Sequence, residues 1–576
     1  MCGIAGIISQ DRSRVNSDNL QRMTDAIAHR GPDGEQQWIN TSGTTGFGHR
    51  RLAILDLSSA ALQPMHYLDR YTIVHNGEIY NYKELRDTLT KSGYRFRSKS
   101  DTEVILAAYS NYGRDCCKYF DGMFAFAIWD EQEQELFAAR DRFGEKPFYY
   151  KADNSSLIFG SETKAILTLA PKQEIDPLQL LNFLTLGNSR KMVSDGRSIY
   201  QGIEELPAAS TLSFNLRECK VEIRKYWELH KKIADNLNDD EVLNTFEQLY
   251  TKSIELRLRS DVSLGVSLSG GLDSSSIVAG IYEADKRPIK TYSAVFPGFS
   301  SDESAFISII NSRFGCESFT VTPGSADLVN DIKKLVWHQE TFISSASVYA
   351  QYAVFKLAKE TGTVVLLDGQ GADEALGGYN KYIQWGLQEI YRGPAKSFRE
   401  EFAKFRENNV PFDWSWKNKI AAYQPSLTAL ALQQRESGRV KKTNFLNRDY
   451  VTAHSPANKL PLKPGIRNLN DILHYETVES GLNELLHYAD RNSMANGREV
   501  RLPFLSHELV SFIFTLPVRY KLRDGFTKWI LRKAMHSRLP EQIAWRKDKI
   551  GFEPPQKIWM EMPAMQERIH ESKKQL

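Results

Sequence analysis

Cysteine is scarce: Cys2, Cys116, Cys117, Cys219 and Cys316 are the five thiols in 576 residues, and no two form a C-x-x-C pair. That excludes a disulfide framework, and an odd, sparse set in a large chain fits a reducing compartment. No apolar run approaches the ~20 residues needed to span a bilayer. The opening Met1-Cys2-Gly3-Ile4-Ala5-Gly6 lacks the basic region and long apolar stretch of a signal peptide. An excess of one charge is missing as well: 74 basic against 71 acidic residues leave +3, which argues against a dedicated nucleic-acid binder. Gly and Pro are not over-represented, and there is no low-complexity tract or fixed-period repeat, which argues against long disorder and against solenoids. These absences predict a soluble, cytoplasmic, globular protein.

What is present is enough chain for several cores, since a domain takes roughly 150 residues. The first third shows short apolar runs bounded by turn residues, at Ile4–Ile8, Phe47–Leu55, Tyr71–Val74, Met123–Trp129 and Glu135–Ala139. Such runs predict stacked antiparallel sheets. Between them, Asp101–Tyr112 has helical spacing, with Val104, Ile105, Ala108 and Tyr109 on one face. The texture changes near residue 235. Glu241–Leu258 is helical in period, and then strands alternate with helices: Leu264–Leu268 before a helix from about Asp273, Thr291–Phe296 before another, Thr363–Leu367 before a helix from about Ala372. That alternation predicts a parallel sheet covered by helices, with ligands at the carboxyl ends of its strands. From about 380 the chain reads as mostly helical. We place one domain at 2–215 and a second at 236–576.

Cys2 follows the initiator methionine, and a small second residue permits removal of Met1. The mature chain would then carry a thiol and a free α-amine on one residue. The amine has an ordinary pKa of about 7.7–8.0, so it can take the thiol's proton near neutrality. A second-position cysteine alone is a weak signal. Its neighbours strengthen it: His29-Arg30-Gly31-Pro32-Asp33, Gly48-His49-Arg50-Arg51-Leu52, Asn76-Gly77-Glu78-Ile79-Tyr80-Asn81 and Ser100-Asp101-Thr102-Glu103. With these the first ~200 residues resemble the class II glutamine amidotransferases, N-terminal-nucleophile (Ntn) glutaminases. The resemblance implies that Cys2 attacks the side-chain amide of L-glutamine and that Asn76 and Gly77 supply an oxyanion hole. It implies further that Arg51 pairs with the glutamine α-carboxylate while Glu78 and Asp101 hold its α-ammonium. The other four cysteines read as structural thiols.

A second constellation, Val266-Ser267-Leu268-Ser269-Gly270-Gly271-Leu272-Asp273-Ser274-Ser275, follows an apolar strand and opens a helix. Glycines let backbone approach an anion and the helix start offers unpaired N–H groups. Asp273 is a candidate magnesium ligand. No Gly-Lys-Ser/Thr follows, so this is not a Walker loop. It resembles the PP-loop of ATP pyrophosphatases. Asp368-Gly369-Gln370-Gly371-Ala372-Asp373-Glu374, Gly377-Gly378-Tyr379, and the stretch from Asp490-Arg491 to Arg498-Glu499-Val500-Arg501-Leu502-Pro503-Phe504-Leu505 extend the match. Over nearly the whole chain the sequence is similar to the glutamine-hydrolysing asparagine synthetases.

That resemblance implies an α/β/β/α Ntn-hydrolase sandwich of antiparallel sheets joined to a parallel α/β PP-loop domain with additional helices. ATP and Mg2+ would be used, with Leu268, Ser269, Gly270, Gly271, Asp273, Ser274, Val295, Gly369 and Lys528 at the nucleotide and pyrophosphate, and Asp273 and Asp373 on the metal. Ammonia made at Cys2 would cross an internal passage to attack an acyl-adenylate, and a homodimer is implied. Two positions depart from the pattern. Gln370 stands where asparagine-forming relatives have a glutamate, and Glu340–Tyr352 offers Ser344 and Ser345 but no arginine for an aspartate α-carboxylate. Three readings follow: amidation of L-aspartate to asparagine, amidation of another carboxylate such as a uronic acid in surface polysaccharide assembly, and a catalytically silent binding or scaffold protein. The presence of Cys2, Asn76, Asp273 and Asp373 argues against the third.

Overall fold

The computed structural model describes residues 2–187, 196–234, 237–286, 288–441, 446–454, 465–547 and 553–575. The first domain stacks two six-stranded antiparallel sheets. One runs, edge to edge, Glu204–Glu205, Tyr149–Ala152, Ser156–Gly160, Gly3–Ser9, Thr45–Arg51 and Gly34–Ile39. The other runs Lys220–Lys225, Ser210–Asn215, Glu135–Arg140, Gly122–Asp130, Tyr71–Ile79 and Met65–Tyr67. Its outer strand at Lys220–Lys225 lies beyond the limit of 215 read from the sequence.

Successive strand residues point to opposite faces, and that alternation builds the layers. Ile4 and Ile8 meet Val74, Ala125, Ala127 and Trp129 between the sheets. Ala5 and Ile7 instead face Leu20 and Met23 of the helix Ser17–Ala26. On the far side, Ile73, Phe124, Phe126 and Ile128 pack on Leu85 and Leu89 and on Val104–Ala108, from the helices Tyr82–Lys91 and Asp101–Tyr112. The order is helix, sheet, sheet, helix, as expected. The helix Asp101–Tyr112 departs from the expected one-faced pattern: it is buried continuously from Asp101 to Tyr109.

The second domain is built on a five-stranded parallel sheet in the spatial order Glu317–Val321, Lys290–Ala294, Leu264–Ser267, Val365–Leu367, Glu499–Arg501. The chain starts in the middle strand, Leu264–Ser267, winds outward one way, then returns to the other side. The carboxyl ends of Leu264–Ser267 and Val365–Leu367 therefore flank a topological switch, where such sheets open a ligand crevice. The region from about 380 is mostly helical, as expected, and Glu499–Arg501 supplies the sheet's edge strand within it. It is a three-residue strand whose two charged residues are fully buried. Arg501 donates Nε to Glu499 Oε1 at 2.6 Å and Nη1 to the backbone oxygens of Arg257 and Arg259 at 2.7 Å each.

The domains share apolar packing. Leu52, Ile54, Tyr80, Met123 and Phe143 of the first belong to the same buried cluster as Val266, Leu366 and Val500 of the second. Among the described residues no helix is long and apolar enough to cross a membrane.

Candidate active sites

Cys2 opens the strand Gly3–Ser9 and is buried, only 8% exposed. Its thiol points to the carbonyl oxygen of Leu52 at 3.9 Å, and its nitrogen donates to Asn76 Oδ1 at 3.0 Å. Burial pushes the Cys2 thiol up. Asn76 is fully buried in the strand Tyr71–Ile79, and its Nδ2 has no hydrogen-bond partner among the described residues. An unpaired buried amide N–H beside a thiol is a donor held ready for developing negative charge. The next residue, Gly77, has φ +144, and a Cβ there would lie 2.0 Å from the carbonyl oxygen of Met123. Only glycine lets the two strands pass so closely at that point.

Arg51 ends the strand Thr45–Arg51. Its guanidinium reaches the backbone oxygens of Ser58 at 3.0 Å and Asp56 at 2.5 Å. Asp101, the first residue of its helix, accepts from the Ile79 amide at 2.8 Å. Burial pushes the Asp101 carboxyl up to about 6. Glu78 is raised as well, by burial and then by the charges of Asp101 and Glu499, while Arg501 Nη2 stands 3.8 Å away. Two desolvated carboxylates that resist ionisation side by side form a place for a cation.

The second site lies at the sheet's switch point. A cavity of about 560 Å³ is lined by the loop Ser267–Ser269 and Gly271–Ser274, the facing loop Asp368–Gly371, Asp373, and Lys528. Gly270 turns the first loop at φ +73, where a Cβ would stand 2.8 Å from Phe306 Cβ and from Ile307 N. Within the loop, Ser269 N donates to Ser274 Oγ at 3.2 Å. Lys528 Nζ sits 2.5 Å from both Asp273 Oδ2 and Asp373 Oδ1. Lys528 itself is in the left-handed region, φ 52, at the start of the helix Trp529–Met535. Gly378 makes room for this clamp, because a Cβ there would stand 1.9 Å from Asp373 Oδ1 and 2.0 Å from Lys528 Cε.

The pair fits magnesium. The ammonium already occupies the position of a shared cation, and the second Asp273 oxygen, Oδ1, is buried without a hydrogen bond among the described residues. Two carboxylates, with phosphates and water completing the shell, are the usual magnesium set.

The sequence-predicted residues fall into place unevenly. Leu268, Ser269, Gly271, Asp273, Ser274, Gly369, Gln370, Asp373, Lys528, Ser344 and Ser345 all line this one cavity. Val295 does not: it follows the strand Lys290–Ala294 and pairs its amide with the Val321 carbonyl at 2.9 Å, and Tyr292 and Ala294 take the wall position instead. Glu484, Tyr488, Arg532 and Arg546, which carry no signal in the sequence patterns above, also line it. Glu484 Oε1 accepts from Tyr488 OH at 2.7 Å and from Ser344 Oγ at 3.2 Å. Arg532 spends Nε on the Thr527 carbonyl and Nη1 on those of Ala544 and Arg546, and Arg546 pairs with Glu303 at 2.9 Å.

Comparison with known proteins agrees with these two sites in one chain. Residues 1–227 match the family model of a glutamine amidotransferase domain, and residues 245–576 match that of asparagine synthase. Asparagine synthetase (glutamine-hydrolysing) 3 of Bacillus subtilis (strain 168) is 33% identical over 95% of this chain and 86% of its own length. A putative asparagine synthetase of the same type from Methanocaldococcus jannaschii is 37% identical over 69% of this chain and 79% of its own. Amidase chry2 of Gibberella zeae is 26% identical over 97% and 90%. The chain belongs to the asparagine synthase family, in its form fused to an N-terminal glutamine amidotransferase domain.

Proposed function

We propose that this chain is an ATP-dependent carbon–nitrogen ligase that takes nitrogen from L-glutamine and transfers it to a carboxylate. The observation that carries the reading is the co-occurrence, in one chain, of a buried thiol beside an unpaired amide donor and a lysine-bridged pair of aspartates at the switch of a parallel sheet.

At the first site Cys2 Sγ attacks the glutamine side-chain carbonyl, with its proton passing to the α-amine of the mature N-terminus. Asn76 Nδ2 and the Gly77 amide receive the oxyanion. The C–N bond breaks, the amine's proton leaves with ammonia, and water hydrolyses the thioester to glutamate. Arg51 takes the substrate's α-carboxylate through its fork, and Glu78 with Asp101 takes its ammonium.

At the second site the acceptor carboxylate attacks the α-phosphorus of ATP and pyrophosphate departs toward Lys528 and the PP-loop amides. Ammonia from the first site then displaces AMP from the acyl-adenylate. Asp273 and Asp373 are the residues to hold magnesium, whose chemistry there is to neutralise phosphate charge.

The names of the relatives make L-aspartate the first acceptor to test, with asparagine as product. A second reading, a uronic acid or similar sugar acid, is favoured by specific residues. Gln370 cannot take a proton from the attacking ammonia, and its Oε1 is buried without a hydrogen bond among the described residues. Ser344, Ser345 and Glu484 offer hydroxyl and carboxylate partners where aspartate would need a guanidinium, and both cavity arginines are engaged elsewhere. Pyrophosphate release with ATP, magnesium and glutamine, run against a panel of acceptors, tests both. Aspartate-dependent asparagine formation retires the sugar-acid reading, and release with a uronic acid but not aspartate retires the first.

A further inference from the structure

Arg30 is completely buried in the short turn Ala28–Arg30 of the first domain and makes a set of bonds that crosses between domains. Its Nε donates to the carbonyl oxygen of Cys2 at 3.1 Å. Its two terminal nitrogens grip Asp490 of the second domain in a fork, Nη1 to Oδ2 at 2.8 Å and Nη2 to Oδ1 at 3.0 Å. Glu162 shares Nη1 at 2.8 Å and also pairs with Arg491 at 3.0 Å, while Arg491 reaches Glu340 at 3.0 Å. Charge-assisted forks of this kind fix direction as well as distance, and a low-dielectric surrounding leaves them little freedom to rearrange one at a time.

Asp490 belongs to the helix Gly481–Ala495. The same helix presents Glu484, Leu485 and Tyr488 to the nucleotide cavity. Glu484 and Asp490 are six positions apart, about 9 Å along the axis and on different faces of one rod. The rod is also pinned to the helix Ser347–Glu360, since Asn492 Nδ2 donates to the Val348 carbonyl and to Gln351 Oε1 at 2.9 Å each. Val348 and Gln351 line the cavity too. The helix thus joins the wall of the cavity to the backbone of Cys2 through one arginine.

We propose that Asp490 is a positioning residue for Cys2, contributed by the second domain, and that it transmits occupancy of the nucleotide cavity to the glutamine-cleaving thiol. The inference rests on the function proposed above. The contacts with glutamine itself, at Arg51, Glu78 and Asp101, lie outside this chain of bonds, so the link acts on attack and not on glutamine binding.

The test uses the full-length protein. Asp490→Asn keeps the shape and removes the charge, and Glu162 still pairs with Arg30. Turnover of glutamine should fall about 10²-fold, the cost of a nucleophile displaced by an ångström, with KM for glutamine and ammonium-dependent pyrophosphate release within about twofold of wild type. Asp490→Glu should recover part of the turnover. In the wild type, ATP with magnesium should change the rate at which iodoacetamide alkylates Cys2, and in Asp490→Asn it should not. Unchanged glutamine turnover in Asp490→Asn, a rise in KM alone, or an alkylation rate in the wild type that ignores ATP would each overturn the proposal. Should Asp490→Asn lose ammonium-dependent activity as well, the wild-type alkylation experiment decides by itself. Cys2→Ala separates the two levels: if it still hydrolyses glutamine the proposed function fails, whereas its inactivity beside a normal Asp490→Asn defeats only the link.

Discussion

The nitrogen of Cys2 and the side-chain oxygen of Asn76 are joined at 3.0 Å, so nucleophile and oxyanion donor are tied together before any substrate arrives. The bond uses the oxygen of the amide and leaves its nitrogen unpaired. Asn76→Ala should therefore lower glutamine turnover about 10²–10³-fold, the cost of one oxyanion donor. Ammonium-dependent product formation should stay within about twofold of wild type. Glutamate release and pyrophosphate release, measured on the same preparation, check both halves.

Asp101 sets a pH dependence. Burial holds its carboxyl at about 6 in the ligand-free protein, and only the anion pairs with the glutamine ammonium. KM for glutamine should rise about tenfold per pH unit below that value, with kcat less affected, and Asp101→Asn should give a high KM that is flat with pH. The stability effect runs the other way. A raised folded pKa means the native state binds more protons than the unfolded chain between about 3.9 and 6, so this group stabilises the fold as pH falls through that window.

Lys528 bridges Asp273 and Asp373, and its removal leaves two carboxylates facing one another. Lys528→Met should cut pyrophosphate release by about 10²-fold or more, since it deletes the fixed positive charge nearest the leaving group. Glutamine hydrolysis should persist. The variant should also need less magnesium for half-maximal rate, because the ammonium that competes for the two carboxylates is gone, and a magnesium titration reads this directly.

Gly378 is a steric counterpart of that clamp. A single methyl group at this position would occupy the space of Asp373 Oδ1 and Lys528 Cε. Gly378→Ala should abolish the ATP-dependent half-reaction and lower the melting temperature, whereas the same change at Gly43, where a Cβ meets nothing within 4 Å, costs only the strain of its positive φ. Glutamine hydrolysis by Gly378→Ala, compared with its pyrophosphate release, separates local damage from general unfolding.

Much of this was legible in the residue order. The helix Asp101–Tyr112 covers the residues whose spacing predicts it, and the strand–glycine–helix texture around Ser269 lies on the cavity. Local pattern failed where burial depends on partners far along the chain. No strand is legible in the short charged run Glu499-Val500-Arg501, yet it forms a fully buried edge strand because Glu499 and Arg501 neutralise each other and Arg257 and Arg259 lend their carbonyls. Arg30 and Asp490 are 460 positions apart, and no local spacing announces such a pair.

Leu52, Ile54, Tyr80, Met123 and Phe143 sit in the same oily interior as Val266, Leu366 and Val500. Neither half of the molecule therefore owns a finished surface where it meets the other. Heated in a calorimeter, the protein should give one endotherm instead of two, and a protease nick in the connecting stretch should leave the fragments clinging together. Expressed separately, each piece should be sticky until its complement is added back.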